Sequence, residues 1–140
     1  MPIFRLQFWL LLCVVAGLTT RCKKDDPQPQ PEPTSQQLTT GSWRLDQIRQ
    51  NGQFISGADI KDRYSLTFRA DGTYIQKLLA DNTSYKGTWL LTSNNNVLRI
   101  TDHKGTTTDC ASVNVSATEL RYLLANKAGQ VEERVFSAQP

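Results

Sequence analysis

The sequence has one histidine, three cysteines and no apolar run long enough to cross a bilayer. Each scarcity closes off a class of function. A catalytic triad or dyad needs a histidine flanked in space by a nucleophile and an orienting group. The single histidine, His103, lies in the turn Asp102-His103-Lys104-Gly105, and no nucleophile motif accompanies it. It reads as a solvated turn residue, so neither catalytic residues nor an enzyme are expected. There is no Cys-x-x-Cys and no His/Cys spacing of metal-ligand type, so no metal site and no cofactor are expected. Basic clusters are missing as well. Two of the 16 Lys and Arg residues, Arg5 and Arg21, fall in the first 21 residues, which leaves 14 against 13 acidic residues behind them, a net charge of +1. Binding to a phosphate backbone needs a clustered excess of cations, so no nucleic-acid partner is expected.

What is present begins with a leader. Residues 1–21 carry Arg5, then the eleven-residue run Phe8 to Leu18, and no acidic residue. A transmembrane helix needs about 20 apolar residues, so the layout is that of a secretory signal. The chain changes character at Arg21-Cys22-Lys23-Lys24-Asp25-Asp26. An apolar run ending a few residues before a cysteine resembles the lipobox of bacterial lipoproteins, in which signal peptidase II cuts before a diacylated cysteine. The resemblance makes Cys22 the site of lipid attachment, and the membrane a partner through that lipid. Arg21 departs from the small residue that the family places before the cut. Lys-Lys-Asp-Asp behind the cysteine looks like the start of Bacteroidota-type lipoproteins, which implies an outer-membrane address, with periplasmic and external faces both open. Several acyl chains are needed for a stable anchor, because each buried methylene contributes only about 0.8 kcal/mol.

With Cys13 in the leader and Cys22 lipidated, Cys110 is the one thiol left, so the remaining domain can form no internal disulfide and must be held by packing. Residues 22–40 read as a disordered tether. Pro27, Pro29, Pro31 and Pro33 alternate with Gln28, Gln30 and Glu32, and proline at every second position prevents both helix and ladder. In polyproline II this spacer extends by about 3.1 Å per residue.

Residues 41–138 read as one all-β domain of short strands and turns, with no amphipathic helix of useful length. Tyr64, Leu66 and Phe68 alternate with Ser65, Thr67 and Arg69, and Asp71-Gly72 then predicts a two-residue hairpin turn. Tyr85, Trp89 and Leu91 share a face, with Gly87 between the aromatics making room for a large neighbour. Ala111, Val113 and Val115 share another, which puts Cys110 on the opposite, outward or interfacial side. Glu133 falls on the face of Val131 and Val135, and a bulge that rotates it outward is the favoured reading. Eight strands joined by short connections can close an antiparallel up-and-down β-barrel.

At these residues the chain resembles the lipocalin-like domains of bacterial lipoproteins. The match rests on Gly41-Ser42-Trp43, on Leu66-Thr67-Phe68 with Asp71-Gly72-Thr73-Tyr74, and on Gly87-Thr88-Trp89. The resemblance implies that Trp43 packs across the closed end of the barrel against Arg134 from the last strand. It also implies that a small apolar or amphipathic ligand is held inside, and the candidate contacts are Tyr64, Leu66, Phe68, Tyr85, Trp89, Leu91, Tyr122 and Leu124. The domain is shorter than a full lipocalin. The META type of envelope domain also opens with a Gly-x-Trp strand, but its Gly-Cys-Asn segment is absent. The alternative to an interior ligand is a barrel filled by its own side chains that works through its outer surface on a protein partner.

Overall fold

The structure is a computed structural model that describes residues 35–140; the leader, Cys22 and the proline-alternating stretch lie outside the described residues. One helical turn, α1 (Ser35–Leu38), precedes nine strands: β1 (Ser42–Gln50), β2 (Gln53–Ser56), β3 (Tyr64–Phe68), β4 (Thr73–Leu78), β5 (Ser84–Thr92), β6 (Val97–Thr101), β7 (Thr107–Val115), β8 (Glu119–Ala125) and β9 (Val131–Gln139). Neighbours pair antiparallel from β3 through β9, and β1 pairs with both β3 and β9, which closes the ring. The expected eight-stranded up-and-down barrel is therefore present. The ninth strand, β2, is a flap that pairs only with Gln47–Gln50 of β1. Its residues fall in the connection that the sequence leaves without a strand, and a 3₁₀ turn at Gly57–Asp59 follows it.

Alternation along the strands sends one side chain in two to the interior. The interior set includes Trp43, Leu45, Tyr64, Leu66, Phe68, Tyr74, Leu98, Leu120, Tyr122 and Phe136, all buried. The two ends of the barrel differ. At one end α1 lies across the opening: Leu38 is fully buried, three residues ahead of the expected start of the domain, and its carbonyl accepts from Trp43 Nε1 at 2.9 Å. Trp89 belongs to this end too, its Nε1 donating to Arg69 O at 3.0 Å and its ring lying edge-on to Phe68 at 5.5 Å. At the other, open end are the β4–β5, β6–β7 and β8–β9 turns and the β1–β2 flap.

Two bulges set which residues face inward. In β7 the register shifts between Ala111 and Asn114, where Ser112 adopts φ +51°. An extra residue reverses the alternation, so Cys110 points inward before the bulge and Val113 and Val115 point inward after it; all three are buried. The expectation of Cys110 on the outward or interfacial side, opposite Val113 and Val115, fails for this reason. In β1 the register shifts between Leu45 and Gln47, so that Leu45 and Ile48 both face in. The last strand, by contrast, runs in unbroken register against β8 from Glu119↔Ser137 to Ala125↔Val131. No bulge rotates Glu133. Its whole face is the outer one, where it pairs with Arg49 at 3.3 Å, and the interior carboxylate is Glu132.

The Asp71-Gly72 hairpin is also wider than expected. Gly72 N donates to Arg69 O, and only Gly72 has positive φ, at +79°. This is a three-residue loop with glycine in the left-handed position, rather than a primed two-residue turn. Gly87 does make room as expected: a Cβ there would meet Thr101 O and lie 2.5 Å from Tyr74 Cε1.

Candidate functional site

The interior is not completely filled. A pocket of about 140 Å³ opens at the end away from α1, lined by Tyr64 and Leu66 of β3, Tyr74 and Gln76 of β4, Ile100 of β6, Asp102 and Thr106 of the β6–β7 turn, Thr108 and Cys110 of β7, Tyr122 and Leu124 of β8, and Arg134 of β9. Its deep residues, Leu66, Cys110, Tyr74 and Tyr122, are almost fully buried. Gln76, Asp102, Thr106, Thr108 and Arg134 are more exposed and form a polar rim.

Of the eight residues expected to touch a ligand, Tyr64, Leu66, Tyr122 and Leu124 line this pocket. Phe68 and Trp89 are packed against each other at the closed end. Leu91 is a partly buried part of the core wall. Tyr85 reaches the open end but stacks on His103, with ring centroids 4.5 Å apart. His103 itself is an exposed turn residue, as expected, with this ring contact added.

Arg134 has a different role from the one the resemblance implies. The register sets Trp43 opposite Ala138 and Arg134 opposite Ile48, so the arginine lies toward the open end. Arg134 Nε and Nη2 both donate to Glu132 Oε1, at 2.9 and 2.7 Å, and Nη1 donates to the Tyr64 hydroxyl at 2.6 Å. The guanidinium carbon lies 5.8 Å from the centre of the Tyr64 ring. Residues two apart on a strand share a face, so Glu132 and Arg134 form an ion pair built into the barrel lumen.

Burial governs the titratable groups here. It works against the charged guanidinium of Arg134, but the neighbouring Tyr64 and Tyr122 and the bond to Glu132 outweigh it and hold the group protonated. Burial raises Tyr74 to about 12 and Tyr122 well above the usual phenol range. The Cys110 thiol is pushed up to about 12, chiefly by burial, with Arg134 opposing and Asp109 adding to the rise. Asp102 is held below the usual carboxylate range, first by the backbone N–H of Thr106, with Lys104 assisting against some desolvation. The pocket therefore presents the neutral phenols of Tyr74 and Tyr122, a neutral thiol, one paired cation and the Asp102 carboxylate at neutral pH. Among the described residues no group of three His, Cys, Asp or Glu could hold a metal ion.

Tyr74, Gln76, Ile100, Thr106, Thr108, Cys110 and Asp102 are pocket residues that the sequence reading does not name as ligand contacts. Tyr74 and Gln76 are hidden by the loop length: the expected two-residue turn would set inward Phe68 opposite Ile75, whereas the three-residue loop sets it opposite Tyr74. Thr108 and Cys110 are hidden by the bulge at Ser112.

A search of curated proteins finds no match to the chain. Two solved structures are similar to it. One is a redesigned β-barrel at 15% identity, covering 74% of this chain and 93% of that one with a TM-score of 0.44. The other is a de novo designed fluorescence-activating β-barrel at 12% identity, covering 71% and 92% with a TM-score of 0.43. The lipocalin-like domain family matches residues 39–122, more than half of the sequence and most of the barrel. With its closed antiparallel ring and its pocket at the open end, the chain belongs to the lipocalin-like domain family, whose barrel points to ligand binding in general.

Proposed function

We propose that this is an exported lipoprotein, anchored through Cys22 in the outer membrane, whose barrel binds a small amphipathic molecule at its open end without transforming it. The observation that carries the binding reading is the pocket of about 140 Å³ with buried aromatic walls and a polar rim. Sites for drug-sized ligands measure about 300–1,000 Å³. This one suits a single ring or a short chain with one polar group, too small a volume to enclose a lipid. The absence of a catalytic step in the proposal accords with Cys110, whose buried thiol stays protonated and is a poor nucleophile at neutral pH.

The pocket reading is tested by Thr108→Trp, which places an indole in the mouth from a partly exposed position. Calorimetric titration with small aromatic amphiphiles should show binding to the native protein and none to the variant, with the same far-ultraviolet spectrum. Unchanged binding in Thr108→Trp would move the site elsewhere. The anchor is tested separately: incorporation of labelled fatty acid should vanish in Cys22→Ser, and its persistence would sink that part of the proposal.

A second reading draws on a specific feature. The flap β2 pairs on one side only, and Phe54 and Ile55 on it are 66% and 51% exposed. A free strand edge with apolar side chains is a template for an added strand from a protein partner.

A further inference from the structure

We propose that Glu132 makes the pocket selective for uncharged ligands, by acting as an internal counter-ion that prevents Arg134 from serving as an anion receptor. The inference rests on the binding reading above and goes on to name the class of ligand.

An arginine in an aromatic pocket is ordinarily an invitation to a carboxylate, because its five N–H donors match that group. Here two of the donors are committed to Glu132 and a third to Tyr64. Glu132 is 7% exposed. An entering carboxylate must either displace it, leaving a buried charge without a partner, or sit beside it as a second negative charge on one guanidinium. The first is strongly unfavourable and the second is opposed by like-charge repulsion. Asp102, on the rim and outside every ion pair among the described residues, adds a further negative charge facing the same ligand. A cation fares no better. It meets the positive charge of Arg134, while Asp102 Oδ1 is already engaged by the N–H groups of Lys104 and Thr106, with the Lys104 charge close by.

Uncharged hydrogen-bonding groups suffer none of these penalties. Gln76, Thr106 and Thr108 offer donors and acceptors at the rim, and Arg134 retains two N–H groups without a partner among the described residues, for a carbonyl or hydroxyl oxygen. The ligand's apolar part then lies against Leu66 and Tyr122. The class is a small apolar body carrying one amide or hydroxyl group.

The experiment compares three probes of one shape on the full chain by calorimetry: phenylacetamide, phenylacetate and phenethylamine. The native protein should bind the amide at least about tenfold more tightly than either ion, a difference of about 1.4 kcal/mol. Glu132→Gln keeps an oxygen for Arg134 while removing the charge, and it should bind phenylacetate about tenfold more tightly relative to phenylacetamide than the native protein does. The double variant Glu132→Gln/Arg134→Gln should lose that gain. Equal binding of amide and carboxylate by the native protein would overturn the selectivity while leaving the pocket reading intact, and so would preferred binding of the amine, which would make Asp102 the receptor. Binding of none of the probes to either protein would overturn both. The native comparison stands even where a variant folds poorly.

Discussion

Gly87 offers a test in which the sign of the effect is diagnostic. At an unconstrained site, Gly→Ala stabilises a protein by about 0.4–1 kcal/mol, because the unfolded chain loses freedom. Gly87 lies on the inner face of β5 directly opposite Tyr74 of β4. A Cβ built there meets the Thr101 carbonyl oxygen of the next strand, and lies 2.5 and 2.8 Å from two carbons of the Tyr74 ring. One of these neighbours is backbone held in the β5–β6 ladder through Thr88↔Thr101, so it cannot swing aside. The other is a ring in a nearly fully buried position, packed at 6.1 Å from Phe68. Overpacking of this kind costs about 1–3 kcal/mol. For a domain of this size each kcal/mol moves the midpoint by roughly 4–8 °C, so Gly87→Ala should lower Tm by about 4–24 °C. Urea denaturation followed by tryptophan fluorescence gives the free energy, and a cycle with Tyr74→Ala separates the two clashes. The double variant should lose less stability than the sum of the singles, because removing the ring leaves only the carbonyl in the way. A Gly87→Ala protein as stable as the native one, or additive effects in the cycle, would refute this packing at the β4–β5–β6 wall.

Three other outcomes follow from the structure. Leu38→Ala should cost about 2–5 kcal/mol, the usual range for truncating a buried leucine, even though the residue lies in a stretch that reads as tether; a neutral effect in chemical denaturation would detach α1 from the barrel. Stability should fall on acidification. Asp46 is raised somewhat by burial, but bonds from Ser137, Arg44 and Arg63 outweigh this and hold it low, while Asp71 and Asp81 are held low chiefly by Thr73 and Thr83. Carboxylates with depressed folded values contribute stability that is fully present above their unfolded value of about 3.9 and is lost as pH falls through the folded values. The urea midpoint should therefore hold from pH 7 to about 5 and drop below about 4, less steeply in Asp46→Asn, and a flat profile down to pH 2 would contradict the assignment. Finally, Cys110 in the folded protein should resist a disulfide reagent at pH 8 and react fully once urea unfolds the chain, since its thiol titrates at about 12 and is 2% exposed; rapid stoichiometric reaction of the folded state would show an open thiol.

The barrel was legible because its strands keep a strict two-residue alternation over most of their length, as in Tyr64, Leu66 and Phe68, all of which point inward. Legibility failed where one residue was added without a compositional mark. Ser112 at φ +51° is neither glycine nor asparagine, so nothing in Cys110-Ala111-Ser112-Val113 announces that both ends of the segment face the same interior. The candidate site was half legible for a related reason. Alternation says which face a side chain takes but not its height along the barrel, and height separates Trp89 and Phe68 at the closed end from Tyr64 and Tyr122 in the wall of the pocket. Arg134 illustrates the cost: only the resemblance placed it inside, and only the pairing with Ile48 shows that it lies away from Trp43 and beside Glu132. Strand β2 was missed because its four residues bury little, with Phe54 and Ile55 both exposed.

The central claim is that a small amphipathic ligand enters the open end of the barrel. An amide-resolved nuclear magnetic resonance titration of the protein with phenylacetamide tests it most directly. The account predicts saturable shifts concentrated at Leu66, Thr108, Cys110 and Tyr122, on strands that meet at the pocket. Shifts confined to Phe54, Ile55 and their neighbours on the flap, or no shifts at saturating ligand, would contradict it.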